Sequence, residues 1–364
     1  MENDLTIKYN QSGSYDVVIR DDLSELGSHI GGLFPALKRI FIATDSNVAP
    51  LYLEDARKSV GPYCEKVICH IIEAGEEHKN LTEISACYDK LMEADFNRSD
   101  LIMGLGGGVV GDMAAFVAST YMRGCRFVNV PTTLLAMADS AVGGKCGVNY
   151  DRYKNMIGSI YMPSLVYEAA GVTKSLPDRE YSSGMAEIIK AALIKDGMFY
   201  EWLISEFPLI MDRDEGMIKE MLCKAVGIKQ YFVTKDPYEA KERMMLNLGH
   251  TIGHALEKHF CFRYSHGECV ALGTVAAAYI SYKRSYLTTE EFYEIRDMFV
   301  PFGLPISLDR FDTEDVCSNI AHDKKNTGSS LKFILLKKIG KAFICDDVTK
   351  EEIVEAIENL IVEL

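Results

Sequence analysis

Short apolar runs alternate with helical patterns between residues 39 and 130, and this alternation limits the fold more than any other feature of the sequence. Each apolar run is long enough for one buried strand, and the runs lie at 39–44, 66–72, 101–104 and 126–130. Helical patterns separate them, most clearly at 81–94 and 111–121. Strands that are connected by helices pair in parallel and are covered by those helices. This part of the chain is therefore predicted to form a Rossmann-like, mostly parallel α/β sheet.

The pattern changes near Pro177, where long helical periods replace the alternation. Helices are predicted at 177–194, 215–234, 238–260, 267–286 and 289–300, followed by a small hairpin within 331–345 and a last helix from Lys350. A chain of 364 residues is also long for one hydrophobic core. We therefore predict an α/β domain at 1–174 and a mainly helical domain at 175–364, with the active site in the cleft between them.

The charge balance and the cysteine pattern argue against several classes of function. A net charge of -14 disfavours nucleic acid and anionic membrane as partners, because both require a basic surface. The sequence starts without a basic region and apolar run, and it has no uncharged apolar segment of about 18 residues, so a cytoplasmic protein is predicted. Ten scattered cysteines without Cys-x-x-Cys pairs are expected to be reduced thiols.

A glycine-rich segment at 104–112 follows one predicted strand and begins a predicted helix. Glycines at such a turn allow backbone amides to approach a pyrophosphate at the helix N-terminus. The segment does not match the regular Gly-x-Gly-x-x-Gly dinucleotide spacing, so an ordinary turn is the alternative interpretation. Asp45 follows an earlier strand and suits either a ribose hydroxyl or the cap of the next helix.

Two further segments carry charged residues among small or apolar neighbours. Asp139 and Lys145 flank two glycines, which favours a site for a phosphorylated or polyhydroxylated substrate over a solvated loop. Glu187 and Lys190 lie three residues apart in an apolar helical pattern. They form either a private ion pair or a metal ligand beside a proton-transfer group.

Three histidines lie within 17 residues, and their spacing indicates a metal site. His250 and His254 are four residues apart, so one helical face presents both imidazoles. The glycine before each of them leaves room for the close approach of another group. With His266 they offer three imidazoles for Zn²⁺, which is the set that spacing alone favours. The alternative is a pair of histidines that cap a core helix.

Eight motifs, in order along the chain, resemble the 3-dehydroquinate synthase family of the sugar-phosphate cyclase superfamily. They are GGGVVGD at 106–112, YMRG at 121–124, PTTLLA at 131–136, DSAVGGK at 139–145, KNMIG at 154–158, GMAEIIK at 184–190, LNLGHTIGH at 246–254 and SHGE at 265–268. The resemblance extends through nearly the whole chain.

The resemblance implies a Zn²⁺ ion, with Co²⁺ as an alternative metal, held by Glu187, His250 and His266. This set replaces the three imidazoles that spacing favours, and it places His254 against the substrate. One carboxylate and two neutral imidazoles leave the bound metal with a net positive charge and an open position for substrate hydroxyls. Lys190 shares the face of Glu187 and is expected to reach a hydroxyl bound there.

The resemblance also implies bound NAD⁺ and a small sugar phosphate substrate, 3-deoxy-D-arabino-heptulosonate 7-phosphate. The expected NAD⁺ contacts are Asp45, Glu76, Lys79, Gly107, Gly108, Asp112, Thr132, Thr133 and Lys154. The expected substrate contacts are Arg123, Asp139, Lys145, Asn155, Lys190, Lys229, Arg243, Asn247, His254 and Lys324. Catalytic roles are expected for Glu239, His254, Lys190 and Asp139, with proton transfer assigned to the first two.

The implied activity is a carbon–oxygen lyase reaction of the shikimate pathway, which serves aromatic amino acid biosynthesis. Transient oxidation by NAD⁺, phosphate elimination, reduction, ring opening and intramolecular aldol closure convert the heptulosonate phosphate to 3-dehydroquinate and phosphate. The alternatives are another sugar-phosphate cyclase and a metal-dependent, NAD-linked alcohol dehydrogenase of similar fold. The family also suggests a homodimer, in which Arg123 reaches a neighbouring site.

Overall fold

The computed structural model describes residues 4–10, 13–151, 153–327 and 332–362, with the backbone alone at 321–327. The strands are β1 Asp4–Lys8, β2 Ser14–Arg20, β3 Arg39–Asp45, β4 Lys66–Ile72, β5 Leu101–Gly106, β6 Arg126–Pro131, β7 Lys145–Tyr150, β8 Tyr153–Ile160, β9 Leu165–Ala169, β10 Phe333–Lys338 and β11 Lys341–Cys345. The helices are α1 Leu26–Leu33, α2 Glu54–Val60, α3 Leu81–Glu93, α4 Gly108–Thr120, α5 Asp178–Lys195, α6 Gly197–Ser205, α7 Phe207–Met211, α8 Glu215–Lys235, α9 His250–His259, α10 His266–Lys283, α11 Thr289–Asp297, α12 Thr313–Thr327 and α13 Lys350–Glu358.

Seven of these strands form one sheet in the order β1-β2-β9-β6-β5-β3-β4. β1 pairs antiparallel with β2, and the other neighbouring pairs in this sheet are parallel. β5 lies inside the sheet and all of its residues are buried, as expected for a strand that is covered on both faces. The predicted α/β fold with a mostly parallel sheet is therefore confirmed.

One apolar core joins this sheet to the helices that follow its strands. It contains Phe41 from β3, Ile102 from β5, Leu91 from α3 and Phe116 from α4, all buried. Burial of side chains of this size contributes roughly 1.5–3 kcal/mol each. The carboxyl ends of β3, β5 and β6 are held in register by this core, so the turns that follow these strands have fixed positions.

The antiparallel hairpin of β7 and β8 is absent from the sequence-based prediction. Nearly every residue of β8 is exposed, and Met156 has 66% of its surface accessible. A strand without alternation between buried and exposed positions gives no periodic signal in the sequence. The hairpin is nevertheless important, because it carries the expected site residues Lys145, Lys154 and Asn155.

The helical part of the chain is built around α5 and α10, which pack against each other. Every residue of α5 from 181 to 194 is buried, although Glu187 and Lys190 lie among them. Of the helices in the described residues, none is long and apolar enough to cross a membrane. The β10–β11 hairpin packs on α10, and the Leu336 backbone N–H donates to Ser281 Oγ at 3.0 Å.

The chain divides into two compact units, and α8 belongs to the first of them. The first unit is Met1–Leu176 with Glu215–Tyr238, and the second is Pro177–Asp214 with Glu239–Leu364. The sequence-based division at residue 174 places α8 with the helical domain instead. In the structure α8 packs on β1 and on the turn Ala136–Ser140, and its Gln230 side chain donates to the Thr6 carbonyl at 2.6 Å. A helical pattern identifies a helix but not the surface that the helix covers.

Glu168 in β9 is a buried carboxyl that is expected to make stability depend on pH. It is fully buried, and neither of its oxygens has a hydrogen-bond partner among the described residues. Burial raises the pKa of Glu168 well above its ordinary value of 4.5. The folded chain therefore keeps a proton that the unfolded chain releases. As the pH rises above the unfolded-state pKa, this group alone should lower the free energy of unfolding by about 1.4 kcal/mol per pH unit, until the folded-state pKa is reached.

The variant Glu168→Gln removes this proton linkage and should be more stable than the parent by a margin that grows with pH. Urea unfolding of both proteins at several pH values between about 5 and about 8 measures the margin. Glu93→Gln, at an exposed position of α3, is the matched control and should show no growing margin. If the Glu168→Gln and parent stabilities stay parallel over this range, the buried carboxyl is not neutral in the folded chain.

Candidate functional site

Glycines bring the backbones of α9 and α10 into contact where both helices carry histidines. Gly249 has a φ of 78° and begins α9 at His250, so the helix predicted over 238–260 is broken at this point. A Cβ atom on Gly273 of α10 would lie 1.9 Å from the Gly249 carbonyl oxygen. A Cβ atom on Gly253 would lie 2.9 Å from the Cys269 carbonyl oxygen. The room beside the histidines is therefore filled by the backbone of α10.

The start of α10 is fixed in position by contacts to α5. Ser265 and Glu268 form a capping box, which begins the helix at His266. Glu268 also accepts hydrogen bonds from Arg179 of α5 at 2.6 and 3.0 Å. The Gly267 N–H donates to Ser183 Oγ of α5 at 3.0 Å. Because α5 also carries Glu187, these contacts set the distance between that carboxylate and the His266 ring.

Glu187, His250 and His266 form a set of donors that suits a metal ion. One ligand atom from each lies within 4.8 Å of the other two. Glu187 Oε1 is 3.1 Å from His266 Nε2 and 3.6 Å from His250 Nε2. Two ligands on a tetrahedral zinc ion, with bonds of about 2.0–2.1 Å, are about 3.3 Å apart. The two observed distances lie on either side of this value, so the residues fit the metal that the sequence resemblance implies.

Hydrogen bonds orient both imidazoles toward the same point. Nδ1 of His250 lies 3.1 Å from the Leu248 carbonyl oxygen, to which it donates. Nδ1 of His266 lies 2.6 Å from Glu257 Oε1. Each ring therefore has its Nδ1 atom occupied and presents Nε2 to Glu187. Such an outer hydrogen bond is the usual device by which proteins fix the tautomer of a metal-binding histidine.

Charges around Glu187 keep it ionised although it is buried. Burial alone would raise the pKa of Glu187, but the Lys190 ammonium and then the hydrogen bond from His266 hold it well below its usual value. Lys190 is 2% exposed and forms an ion pair with the second oxygen of Glu187. Burial, followed by the charge of Lys190, lowers the pKa of His250 to about 3, so this imidazole is neutral at ordinary pH.

The pKa of His266 is shifted in the opposite direction from the pKa of His250. Burial alone would lower the pKa of His266, but hydrogen bonds to Glu187 and Glu257 outweigh burial and raise it to about 10. A metal that binds through Nε2 must therefore displace a proton from this ring. Zinc binding should consequently release protons and weaken as the pH falls.

His254 belongs to a different donor set from His250. It is exposed, and its ring centre lies 5.2 Å from that of His250 and 5.9 Å from that of His266. With Glu257 and His266 it forms a second set whose ligand atoms lie within 4.8 Å. No such set in the described part of the chain combines the three imidazoles that spacing alone favours.

Two other predicted residues of the second unit contact each other. The Asn247 side-chain amide donates to Glu239 Oε1 at 2.9 Å. Glu239 has a φ of 57°, so its backbone is held in the left-handed region that non-glycine residues seldom adopt. Arg243 is 1% exposed and is the largest fully buried side chain among the described residues. The turn Glu242–Asn247 thus brings a guanidinium and an amide close in the chain to His250.

Residues predicted for NAD⁺ and residues predicted for substrate contact one another in the first unit. Lys79 is 4% exposed, and its Nζ donates to Asp112 Oδ2 at 2.6 Å and to Asn155 Oδ1 at 2.5 Å. Burial raises the pKa of Asp112, although the Lys79 charge opposes this shift. Asn149 completes the cluster, since its amide donates to Glu76 Oε1 at 2.8 Å and its oxygen accepts from the Asn155 N–H at 2.8 Å.

A second ion pair in the first unit joins α8 to the turn after β6. The Lys229 ammonium donates to the Asp139 carboxylate, and Lys229 is 5% exposed. The family resemblance assigns both residues to the substrate. Because α8 belongs to the first unit, both residues of this ion pair lie in the same unit.

The glycine-rich turn leaves the N-terminus of α4 open for an anion. Gly107 is its N-cap residue, no side chain caps the helix, and its first turn contains no acidic residue. The backbone N–H groups of such a helix end attract phosphate. Thr132 and Thr133 follow β6, and the buried Thr132 hydroxyl has no hydrogen-bond partner among the described residues. These features fit the pyrophosphate of NAD⁺.

The remaining predicted residues are Asp45, Arg123, Lys145, Lys154 and Lys324, of which Lys145 lies near enough to Asp112 for its charge to oppose the rise in the pKa of that carboxyl. Asp45 Oδ1 accepts from the N–H groups of Asn47 and Val48 at 2.9 Å each, so this oxygen stabilises the turn after β3; the helical turn Ala49–Leu53 that follows has Val48 as its N-cap and no side-chain cap. Arg123, with a φ of 63°, and Lys145 and Lys154 are exposed residues of the first unit. Lys324 lies in α12, but its side chain is outside the described residues.

Sequence reasoning missed Glu257 and Asn149. Glu257 lies seven residues after His250 and three after His254, which places all three on one face of α9, and this spacing was an available signal. Asn149 reaches Glu76 and Asn155 only through the register of the β7–β8 hairpin. No local pattern in the sequence indicates that register.

Family models match most of the chain. Residues 69–183 match the model described as 3-dehydroquinate synthase N-terminal, and residues 184–326 match the model described as 3-dehydroquinate synthase C-terminal. The chain is 39% identical to the 3-dehydroquinate synthase of Ruminiclostridium cellulolyticum, over 95% of this chain and 96% of that protein. It is 37% identical to the 3-dehydroquinate synthase of Psychrobacter cryohalolentis, over 94% of each chain.

Solved structures share the fold over almost the full length. The 2-epi-5-epi-valiolone synthase of Streptomyces hygroscopicus, solved with NAD⁺ and Zn²⁺, has a TM-score of 0.86 and 27% identity, over 97% of this chain and 98% of its own. A 2-deoxy-scyllo-inosose synthase, solved with carbaglucose-6-phosphate, NAD⁺ and Co²⁺, has a TM-score of 0.89 and 24% identity, over 98% and 100%. The NADH-dependent butanol dehydrogenase A of Thermotoga maritima is more distant, with a TM-score of 0.72 and 13% identity, over 95% and 96%.

Proposed function

This chain belongs to the 3-dehydroquinate synthase family, and on that premise we propose that it converts 3-deoxy-D-arabino-heptulosonate 7-phosphate to 3-dehydroquinate and phosphate. The reaction is a phosphate-eliminating cyclisation of the shikimate pathway. It combines oxidation, elimination, reduction, ring opening and aldol closure on one substrate. NAD⁺ is proposed as the cofactor of the first unit and a divalent metal, Zn²⁺ or Co²⁺, as the cofactor of the second.

The observation that carries this proposal is the Glu187, His250 and His266 set with Lys190 beside it. The three donors have the separations that a tetrahedral metal ion requires, and both imidazoles are oriented by hydrogen bonds. A bound zinc ion would polarise substrate hydroxyls and stabilise negative charge on oxygen. Lys190 is held next to this set by its ion pair with Glu187. Its ammonium is placed to donate to an oxygen that gains negative charge.

Proton transfer is proposed for Glu239 and His254. Asn247 donates to one oxygen of Glu239 and thereby orients the carboxylate. His254 is exposed, so its imidazole is open to a bound molecule and to water. An imidazole can both donate and accept a proton, as this role requires.

NAD⁺ would be held at the open N-terminus of α4, with Gly107 and Gly108 allowing close approach of its pyrophosphate. When bound, it supplies a hydride acceptor that is regenerated in the same turnover. The Lys79, Asp112 and Asn155 cluster and the Lys229–Asp139 pair would bind the cofactor and the substrate in the first unit. The expectation that the substrate lies between the two units stays a prediction, as do a homodimer and a cytoplasmic location.

Arg243 favours the proposed reaction over that of another sugar-phosphate cyclase whose substrate lacks a carboxylate. The heptulosonate substrate carries a carboxylate, and a planar guanidinium binds a carboxylate through two parallel hydrogen bonds. Arg243 lies in the turn Glu242–Asn247, shortly before the metal-binding candidate His250. The family resemblance assigns this guanidinium to the substrate, and a substrate with a carboxylate matches that assignment better than a substrate without one.

The direct test is incubation of the protein with the heptulosonate phosphate, NAD⁺ and Zn²⁺. Phosphate and dehydroquinate should appear in equal amounts, while the absorbance of NADH stays flat because the hydride is returned. A parallel incubation without NAD⁺ is the control and should be slower. Phosphate without the carbocycle would contradict the proposed reaction, and NADH that accumulates with product would indicate an alcohol dehydrogenase.

A further inference from the structure

We propose that Glu257 is a positioning residue of the metal centre, which holds the His266 ring so that Nε2 faces the ion. This inference rests on the proposed metal site and adds to it a carboxylate that does not itself bind the metal. The proposed role is to accept the Nδ1–H of His266 and thereby to fix the tautomer and the angle of the ring.

The distance between the two groups identifies a hydrogen bond rather than a shared metal. Glu257 Oε1 lies 2.6 Å from His266 Nδ1. Charge-assisted hydrogen bonds have lengths of about 2.7–2.9 Å or slightly less, whereas two ligands of one tetrahedral zinc ion are about 3.3 Å apart. The corresponding distance from Glu187 Oε1 to His266 Nε2 is 3.1 Å, which is close to the ligand–ligand value. The two carboxylates thus contact opposite nitrogens of one ring, and the contact of Glu187 is the nearer of the two to the separation of two metal ligands.

Burial of Glu257 strengthens its hydrogen bond to His266. Glu257 is 5% exposed and lies on α9, while His266 is the first residue of α10. Water therefore competes little for the carboxylate. The backbones of α9 and α10 come close at Gly253 and Cys269, which fixes the positions of the two backbones that carry Glu257 and His266.

The two histidine ligands differ in the acceptor on their Nδ1 atoms. His250 donates to a neutral carbonyl, that of Leu248, at 3.1 Å. His266 donates to a carboxylate at the shorter distance of 2.6 Å. A carboxylate acceptor increases the basicity of the opposite ring nitrogen more than a carbonyl does. His266 is therefore the ligand whose bond to the metal depends most on its outer partner.

The second donor set gives the rival interpretation. His254, Glu257 and His266 also have ligand atoms within 4.8 Å of one another. A metal in this set would bind Glu257 directly, and Glu187 and His250 would have no contact with it. The two interpretations predict different effects for the same substitution.

The test is Glu257→Gln, which keeps the size of the side chain but weakens the acceptor. The zinc dissociation constant, measured by competition with a chromophoric chelator, should rise about tenfold, within the usual range for an outer partner of a metal ligand. The absorption spectrum of the Co²⁺-loaded protein should also shift, because the field of one imidazole changes. Glu291→Gln, in the capping box of α11, is the matched control and should leave both readouts unchanged.

Three results would overturn the proposal. An unchanged zinc affinity and Co²⁺ spectrum in Glu257→Gln would mean that the contact does not influence the metal. A loss of zinc as large as that of a ligand variant would make Glu257 a direct ligand. An equal loss of thermal stability with and without zinc, at unchanged spectrum, would make its role structural.

Failure of the proposed activity can be recognised separately. Parent protein that binds zinc tightly, but forms no dehydroquinate from the heptulosonate phosphate, would contradict the proposed function. The positioning role of Glu257 would then still be supported by a tenfold weaker zinc affinity in Glu257→Gln. Parent protein that binds no zinc at all would overturn both.

Discussion

Replacing His250 with alanine is expected to weaken zinc binding by more than 100-fold and to reduce turnover to background. Zinc sites with four protein ligands have apparent binding free energies of about 10–16 kcal/mol, which corresponds to roughly 3 kcal/mol for each ligand. A loss of that size is about 100-fold in affinity. His250 is neutral and has its Nδ1 atom occupied by the Leu248 carbonyl, so its Nε2 atom is free for the ion. Zinc content after dialysis, determined by elemental analysis, measures the effect.

His254→Ala is the matched control, because it removes an imidazole one helical turn away on the same face of α9. This variant should keep its zinc and lose activity through the substrate side of the reaction instead. Equal zinc content in the two variants would remove the distinction between the two histidines. Zinc loss in His254→Ala alone would place the metal in the set of His254, Glu257 and His266.

Lys190→Met is the second substitution with a large expected effect, and it should lower kcat while zinc is retained. Methionine has a similar length and removes only the charge, so packing at this position, which is 2% exposed, should change little. Loss of a positioned proton donor or charge typically costs about 10²–10⁴-fold in rate. Without the Lys190 charge, the negative charge of Glu187 is less neutralised. Binding of a cation such as zinc should therefore not be weakened. Steady-state kinetics together with zinc content separate the two effects.

Lys195→Met, at an exposed position in the last turn of the same helix, controls for the loss of one positive charge. It should retain the activity of the parent. If Lys190→Met keeps most of the parent kcat, the lysine only balances the charge of Glu187. If it loses zinc with its activity, the ion pair is structural, and a catalytic role for the lysine would not be supported.

The sequence predicts four of the six parallel strands, β3 to β6, because each contains an apolar run, whereas β2 and β9 are absent from the prediction. β3, β4, β5 and β6 begin at the residues where their apolar runs begin. β8 has no such signal, since nearly all of its residues are exposed. The position of α8 is also not predictable, because its helical pattern fits equally well in either unit. Periodicity therefore identifies single elements, and it fails where the partner surface decides the outcome.

The metal centre shows a similar limit. Spacing within one segment favours three histidines, because residues close in sequence are easily judged to share a face. Glu187 lies 63 residues before His250, and only the packing of α5 against α10 brings its carboxylate to the imidazoles. Local physical reasoning leaves Glu187 as either a metal ligand or half of an ion pair, and only the resemblance to a family groups it with His250 and His266. The glycines beside the histidines indicate the close approach of another group, and that group is the backbone of α10.

Because α8 belongs to the first unit, that unit cannot be completed during synthesis until α8 has been made. The last strand of the main sheet ends at Ala169, but α8 extends to Lys235. A ribosome adds about 5–20 residues per second. Several seconds therefore pass between synthesis of the last strand of the sheet and synthesis of α8, the helix that covers β1 and carries the partner of Asp139. In that interval the apolar surface that α8 will cover is exposed on the nascent chain and accessible to chaperones or to other nascent chains. The boundary between the two matched family regions, at residues 183 and 184, is thus a poor place to divide the gene.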